Sequence, residues 1–93
     1  MPATVTVLIP TALRAYTQKR DSIALKGETV ADILSQLIAS HSSLKKHLYS
    51  EDGKLRKFVN VYLNNDDIRY LEQEHSRVKD KDIISIIPSI AGG

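Results

Sequence analysis

A chain of 93 residues, 42% hydrophobic and 26% charged, is long enough for one globular domain and too short for two. No apolar run approaches the roughly 20 residues of a membrane span, and no basic region followed by an apolar stretch opens the chain, so a cytoplasmic protein is expected. Zero cysteines exclude disulfides, thiolate metal sites and side-chain persulfides. The net charge of +2 comes with basic residues in small groups (Lys19-Arg20, Lys45-Lys46, and Lys54, Arg56 and Lys57), not the dense stripe of a nucleic-acid surface.

Thr4 to Ile9 alternates, with Val5, Val7 and Ile9 on one face, which predicts a half-buried strand. Pro10 ends it, because proline cannot donate to a ladder. After a polar connection, Ser22 to Lys26 alternates again, and the two runs read as a hairpin with a long loop. Gly27-Glu28 breaks the second strand. Thr29 can cap a helix, with Asp32 in the place of a capping-box acid, although Glu would reach back better. Val30, Ile33, Leu34, Leu37 and Ile38 then form one apolar stripe of a helix running to about Ser40. Leu44 and Leu48 suggest one further short turn.

Ser50 to Lys54 reads as a loop, and Phe58 to Leu63 as a strand with Val59, Val61 and Leu63 on one face. Asn64 to Asp67 is a turn, since Asn tolerates positive φ and Asx side chains bond their own backbone. Ile68 to Leu71 is expected to return as a short strand, and Lys79 to Asp82 to turn again. Ile83 to Ile87 is the last strand, and its continuous apolar run predicts a central position covered on both sides. Pro88 is expected to stop pairing.

The order strand, strand, helix, strand, strand, strand gives one helix one sheet to cover, a two-layer α+β domain. With apolar first and last strands together in its middle, it would be the β-grasp, or ubiquitin-like, roll: a mixed sheet with one main helix on one face. The domain is expected over residues 1–88, with an extended tail over 89–93.

Little in the domain suggests an active site of its own. His41, His47 and His75 share no metal-ligand spacing and read as surface residues; Glu72 to His75 is not the helical zinc pattern of two histidines four apart. Asp80 and Asp82 lack the further oxygen ligands of a calcium loop. Gly27 and Gly53 stand alone, without a phosphate loop, and no serine sits in a nucleophile elbow. No metal or cofactor is expected on the chain itself.

The sequence ends Ser89-Ile90-Ala91-Gly92-Gly93. Chance places two glycines at a terminus in roughly one chain in 200, and an engineered scar is a second bland origin. A third reading is chemical. Five extended residues reach roughly 17 Å. Gly92 and Gly93 have no Cβ, so backbone can thread a channel too narrow for side chains. The terminal carboxylate is then a handle for another protein's active site. Attack on the α-phosphate of ATP gives an acyl-adenylate, and a sulfur nucleophile can displace AMP to leave a thiocarboxylate. Such a group carries sulfur without cysteine.

Four stretches, "IPTALRAYT" (9–17), "GETVADILSQL" (27–37), "KLRKFVNVYLNNDDIR" (54–69) and "DKDIISIIPSIAGG" (80–93), resemble the ubiquitin-like sulfur carriers of the MoaD/ThiS family, and within it the CysO type of cysteine biosynthesis. The resemblance implies that a ubiquitin-activating-type enzyme adenylates Gly93 and installs sulfur there, with Ile90, Ala91 and Gly92 threading into the partner's active site. It further implies a PLP-dependent cysteine synthase as acceptor and a zinc-dependent peptidase that releases the product. Relatives of the other types give sulfur to the molybdopterin precursor or to the thiazole of thiamine. In one departure, Gln18-Lys19-Arg20 stand where the CysO type tends to have glycines.

Alternation also predicts a docking surface. If Val59, Val61, Ile84 and Ile86 face the helix, then Leu8, Phe58, Tyr62 and Ile87 face outward as an apolar patch, and family members dock their activating enzyme with this sheet face. Two other functions stay open: a modifier that joins Gly93 to lysines of other proteins, and a non-covalent interaction module whose Gly-Gly is incidental.

Overall fold

The computed structural model describes residues 2–56 and 59–88. Strands β1 (Ala3–Leu8), β2 (Ser22–Gly27), β3 (Val59–Leu63), β4 (Asp66–Asp67) and β5 (Ile83–Pro88) form one five-stranded sheet in the order β2-β1-β5-β3-β4. β1 and β5 are parallel neighbours in the middle, and the other pairs are antiparallel. Helix α1 (Val30–Ser40) covers one face, followed by a 3-10 turn at Ser42–Leu44 and the short helix α2 (Lys45–Leu48).

The period-2 pattern of the strands decides which face is buried. Val5, Val7, Val61, Ile84 and Ile86 meet Val30, Ile33, Leu34 and Leu37 of α1 in one core, joined by Leu44 and Leu48. Each fully buried side chain of this size contributes about 1.5–3 kcal/mol. α1 begins where expected. Thr29 Oγ1 accepts the Asp32 N–H at 3.2 Å, and Asp32 Oδ2 accepts the Thr29 N–H at 3.2 Å and the Glu28 N–H at 3.0 Å. The shorter acid closes the box because β2 brings the chain in close: a Cβ on Gly27 would stand 2.7 Å from Asp32 Cβ.

The structure corrects four expectations. Ile68–Tyr70 is a 3-10 turn, and the returning strand is only Asp66–Asp67. Asp67 Oδ1 accepts the Arg69 N–H at 2.9 Å, an Asx cap that curls the chain before it can extend. The connection between β1 and β2 holds a 3-10 turn, Thr11–Tyr16, whose Leu13 is buried. Pro88 stays in β5 opposite Val59. Asn64 donates its N–H to Ile83 O, so alternate positions 85 and 87 bond β3, while the nitrogen of residue 88 faces the β1 side, beyond the last β1 pair at Leu8–Ser85. Finally, β5 is central but covered on one face: Ile84 and Ile86 are buried, whereas Ile83 and Ile87 are 41% and 49% exposed.

His47 also departs from a plain surface residue. Its ring lies against Tyr16 with centroids 4.2 Å apart, and its Nε2 is buried. The expected tail, residues 89–93, lies outside the described residues.

Candidate functional site

The sheet face opposite α1 is open among the described residues. Register sets its rows. Leu8 of β1, Ser85 of β5 and Tyr62 of β3 lie side by side. Thr6 and Ile83 form the row on one side, and Ile87 and Asn60 the row on the other. Leu8 is 41% exposed, and with Ile83 and Ile87 it makes an apolar surface along the two central strands. Tyr62 is half-buried at its margin. Of the sequence-predicted patch, Leu8, Tyr62 and Ile87 share this face; Phe58, like Ile90, Ala91, Gly92 and Gly93, falls outside the described residues.

Ile83 was absent from the predicted patch. Its signal was in the alternation that placed Ser85 and Ile87 outward, since residues two apart on a strand share a face. β5 also ties this face to the chain end, because Ile87 precedes Pro88 on the strand that leads to residue 89.

Beside β3 a polar cluster closes the face. The Asp67 side chain is 8% exposed and pairs with Arg69, whose side chain is 60% exposed. Arg69 Nε donates to Asp67 Oδ1 and Oδ2 at 3.2 and 3.3 Å, and Nη2 donates to Oδ2 at 2.8 Å. Nη2 also donates to Asn60 Oδ1. The Arg69 side chain, and then its backbone N–H, hold the Asp67 carboxyl below its usual range, and Asp67 in turn raises Arg69.

A cleft of about 710 Å³ lies beside β3 and shares the Asp67–Arg69 pair, its other lining residues including Lys54, Arg56, Val61 and Glu74. Among the described residues it gathers no nucleophile with a neighbouring base. Among the described residues, no group of three or more His, Cys, Asp or Glu is placed to hold a metal ion. No helix there is long and apolar enough to cross a membrane. What the described chain offers is a surface.

The sequence matches the ThiS family over residues 7–93. The protein belongs to the ThiS family. It is 38% identical to the sulfur carrier protein CysO of Mycobacterium tuberculosis over 91 residues, which span 96% of this chain and 98% of that protein. A chain of the Amycolatopsis orientalis BexX/CysO complex superposes with a TM-score of 0.86 at 42% identity, covering 96% of this chain and 99% of that one. The small archaeal modifier protein 1 of Methanosarcina acetivorans superposes with a TM-score of 0.87 at 30% identity, over 100% and 99% of the two chains. The fold of this ThiS-family member is therefore the ubiquitin-like β-grasp expected from its elements.

Proposed function

We propose that this ThiS-family protein is a sulfur carrier whose reactive centre is the carboxylate of Gly93. A carboxylate oxygen attacks the α-phosphorus of ATP in an activating enzyme, and pyrophosphate leaves. Hydrosulfide then adds to the acyl carbon, and AMP departs with the bonding electrons. The chain end is left as a thiocarboxylate. Ile90, Ala91 and Gly92 thread the partner's channel, and the open sheet face docks the partner's body. The single observation that supports this most is the near full-length 38% identity to a protein named as a sulfur carrier.

The same relative favours cysteine biosynthesis as the destination. There the thiocarboxylate sulfur adds to the double bond of an aminoacrylate held by a PLP-dependent synthase. An S-to-N acyl shift leaves cysteine in amide linkage to Gly93, and a zinc-dependent peptidase hydrolyses that amide. The BexX/CysO neighbour supports a working surface that meets a second protein.

Deletion of Gly93 tests the carrier reading. The shortened protein is expected to fold and still compete for the activating enzyme, but to form no thiocarboxylate. If the shortened protein sustains sulfur transfer, the reading fails. The likeness to archaeal modifier proteins favours a second reading, conjugation through Gly93 to lysines. That reading predicts higher-mass adducts that survive boiling in detergent, where the carrier reading predicts none.

A further inference from the structure

The outward positions of the strands carry few charges, and they are placed at opposite margins. Lys26, opposite Thr4, lies on edge strand β2; Arg69 lies beyond β3 at the other end. The acid on this face, Asp67, faces Tyr62 in the register and is already engaged by Arg69.

The Arg69 guanidinium is held from two sides. Its Nε and Nη2 donate to Asp67, and Nη2 also donates to Asn60, which sits opposite Ile87. Asp67 is the buried member of the pair and Arg69 the exposed one, so the dipole of the pair turns its positive end to solvent. Nη1 has no protein acceptor among the described residues, and its two N–H groups remain to be used. Ordering a free arginine costs up to about 2 kcal/mol of rotamer entropy; here Asp67 and Asn60 impose that order before any partner arrives.

We propose that Arg69 is a specificity-determining contact of the docking face, taking a carboxylate on the activating enzyme while Leu8, Ile83 and Ile87 pack on an apolar surface beside it. The inference rests on the reading that this face docks such an enzyme, and it adds the chemistry of the partner: an acidic side chain at the edge of an apolar patch. A planar fork pairs best with a planar carboxylate. A partner with a cation at that point would meet like charge and be rejected.

The test is carrier-dependent ATP–pyrophosphate exchange by the ubiquitin-activating-type enzyme of the source organism, with carrier concentration varied at low and high salt. Arg69→Met is expected to raise the KM for carrier about fivefold at low salt, leave kcat in place and flatten the salt dependence. Arg69→Lys should recover only part of the loss. Because Arg69→Met strands a carboxylate, the double variant Asp67→Asn/Arg69→Met is the decisive comparison, since an asparagine side-chain oxygen can still cap the turn. A KM that stays raised in the double variant supports direct contact. A KM that returns to the wild-type value, or an unchanged KM in Arg69→Met, overturns the inference and leaves the carrier reading standing. A wild-type protein that drives no exchange overturns both.

Discussion

Thr29 and Asp32 cap one another across the first turn of α1. The Asp32 N–H donates to Thr29 Oγ1, and the Thr29 N–H donates to Asp32 Oδ2, each at 3.2 Å. This pair starts the helix that packs on the inner face of the sheet. Thr29→Ala is expected to cost about 1 kcal/mol, read as a lower urea midpoint with an unchanged m-value. Asp32→Ala should cost at least as much, since Asp32 also holds the Glu28 N–H.

Gly27 permits that cap. A Cβ there would lie 2.7 Å from Asp32 Cβ and 3.3 Å from the Ile33 backbone nitrogen, neither of which can swing aside, and 3.1 Å from Cδ1 of the fully buried Ile33. Gly27→Ala is expected to destabilise by about 1–3 kcal/mol. Gly53 differs in kind: nothing lies within 4 Å of its Cβ position, but its φ is +82°. Gly53→Ala should therefore cost about 1–2 kcal/mol through backbone conformation alone. Only the first substitution should show coupling to Asp32→Ala in a double-mutant cycle.

The loop after the first 3-10 turn stores correctable strain. Gln18 and Lys19 adopt φ of 56° and 66°, the left-handed region that favours glycine. They are held there by the Lys19 N–H on Arg14 O at 2.7 Å and by buried Thr17, whose Oγ1 donates to Arg14 O or Arg20 O. Gln18→Gly and Lys19→Gly should each stabilise by about 0.5–1 kcal/mol, the relief of strain less the entropy glycine loses. Thermal melts should then rise by a few degrees per variant.

Two groups should shape the pH dependence of stability. Asp67 titrates below the usual carboxylate range when folded, so its contribution is present above the unfolded value and disappears as pH falls through the folded one. Asp67→Asn should flatten the acid limb of the stability curve. Tyr49 behaves in the opposite way. Burial first, and then the Glu74 carboxylate, push it up to about 12. The unfolded chain then gives up that proton more readily, and stability falls as pH rises from about 10.0 through about 12. Tyr49→Phe should remove this alkaline loss.

Much of the fold was legible because two periods do not overlap. Val5, Val7 and Ile9, and later Val59, Val61 and Leu63, could share a face only on strands, and Val30 to Ile38 only on a helix. Three features were hidden for identifiable reasons. The turn at Ile68–Tyr70 is made by the Asp67 side chain rather than by any apolar spacing. The run Ile83 to Ile87 looks buried on both faces because apolar residues sit on both, and composition cannot distinguish a covered face from an open one. Arg69 escaped notice because its partners Asp67 and Asn60 meet it only after β3 and that turn are formed. The proposed carrier chemistry rests on Gly92 and Gly93 and on the lack of cysteine, and residues 89–93 lie outside the described residues.

The central claim is that sulfur travels on the backbone acid of Gly93. Intact-mass measurement of the protein incubated with its activating enzyme, ATP and a sulfur donor tests it most directly. The account predicts that one oxygen is replaced by sulfur, that the change localises to Gly93, and that the new group reacts with a thiol alkylating reagent although the chain has no cysteine. An unchanged mass under conditions where the enzyme is active would contradict it.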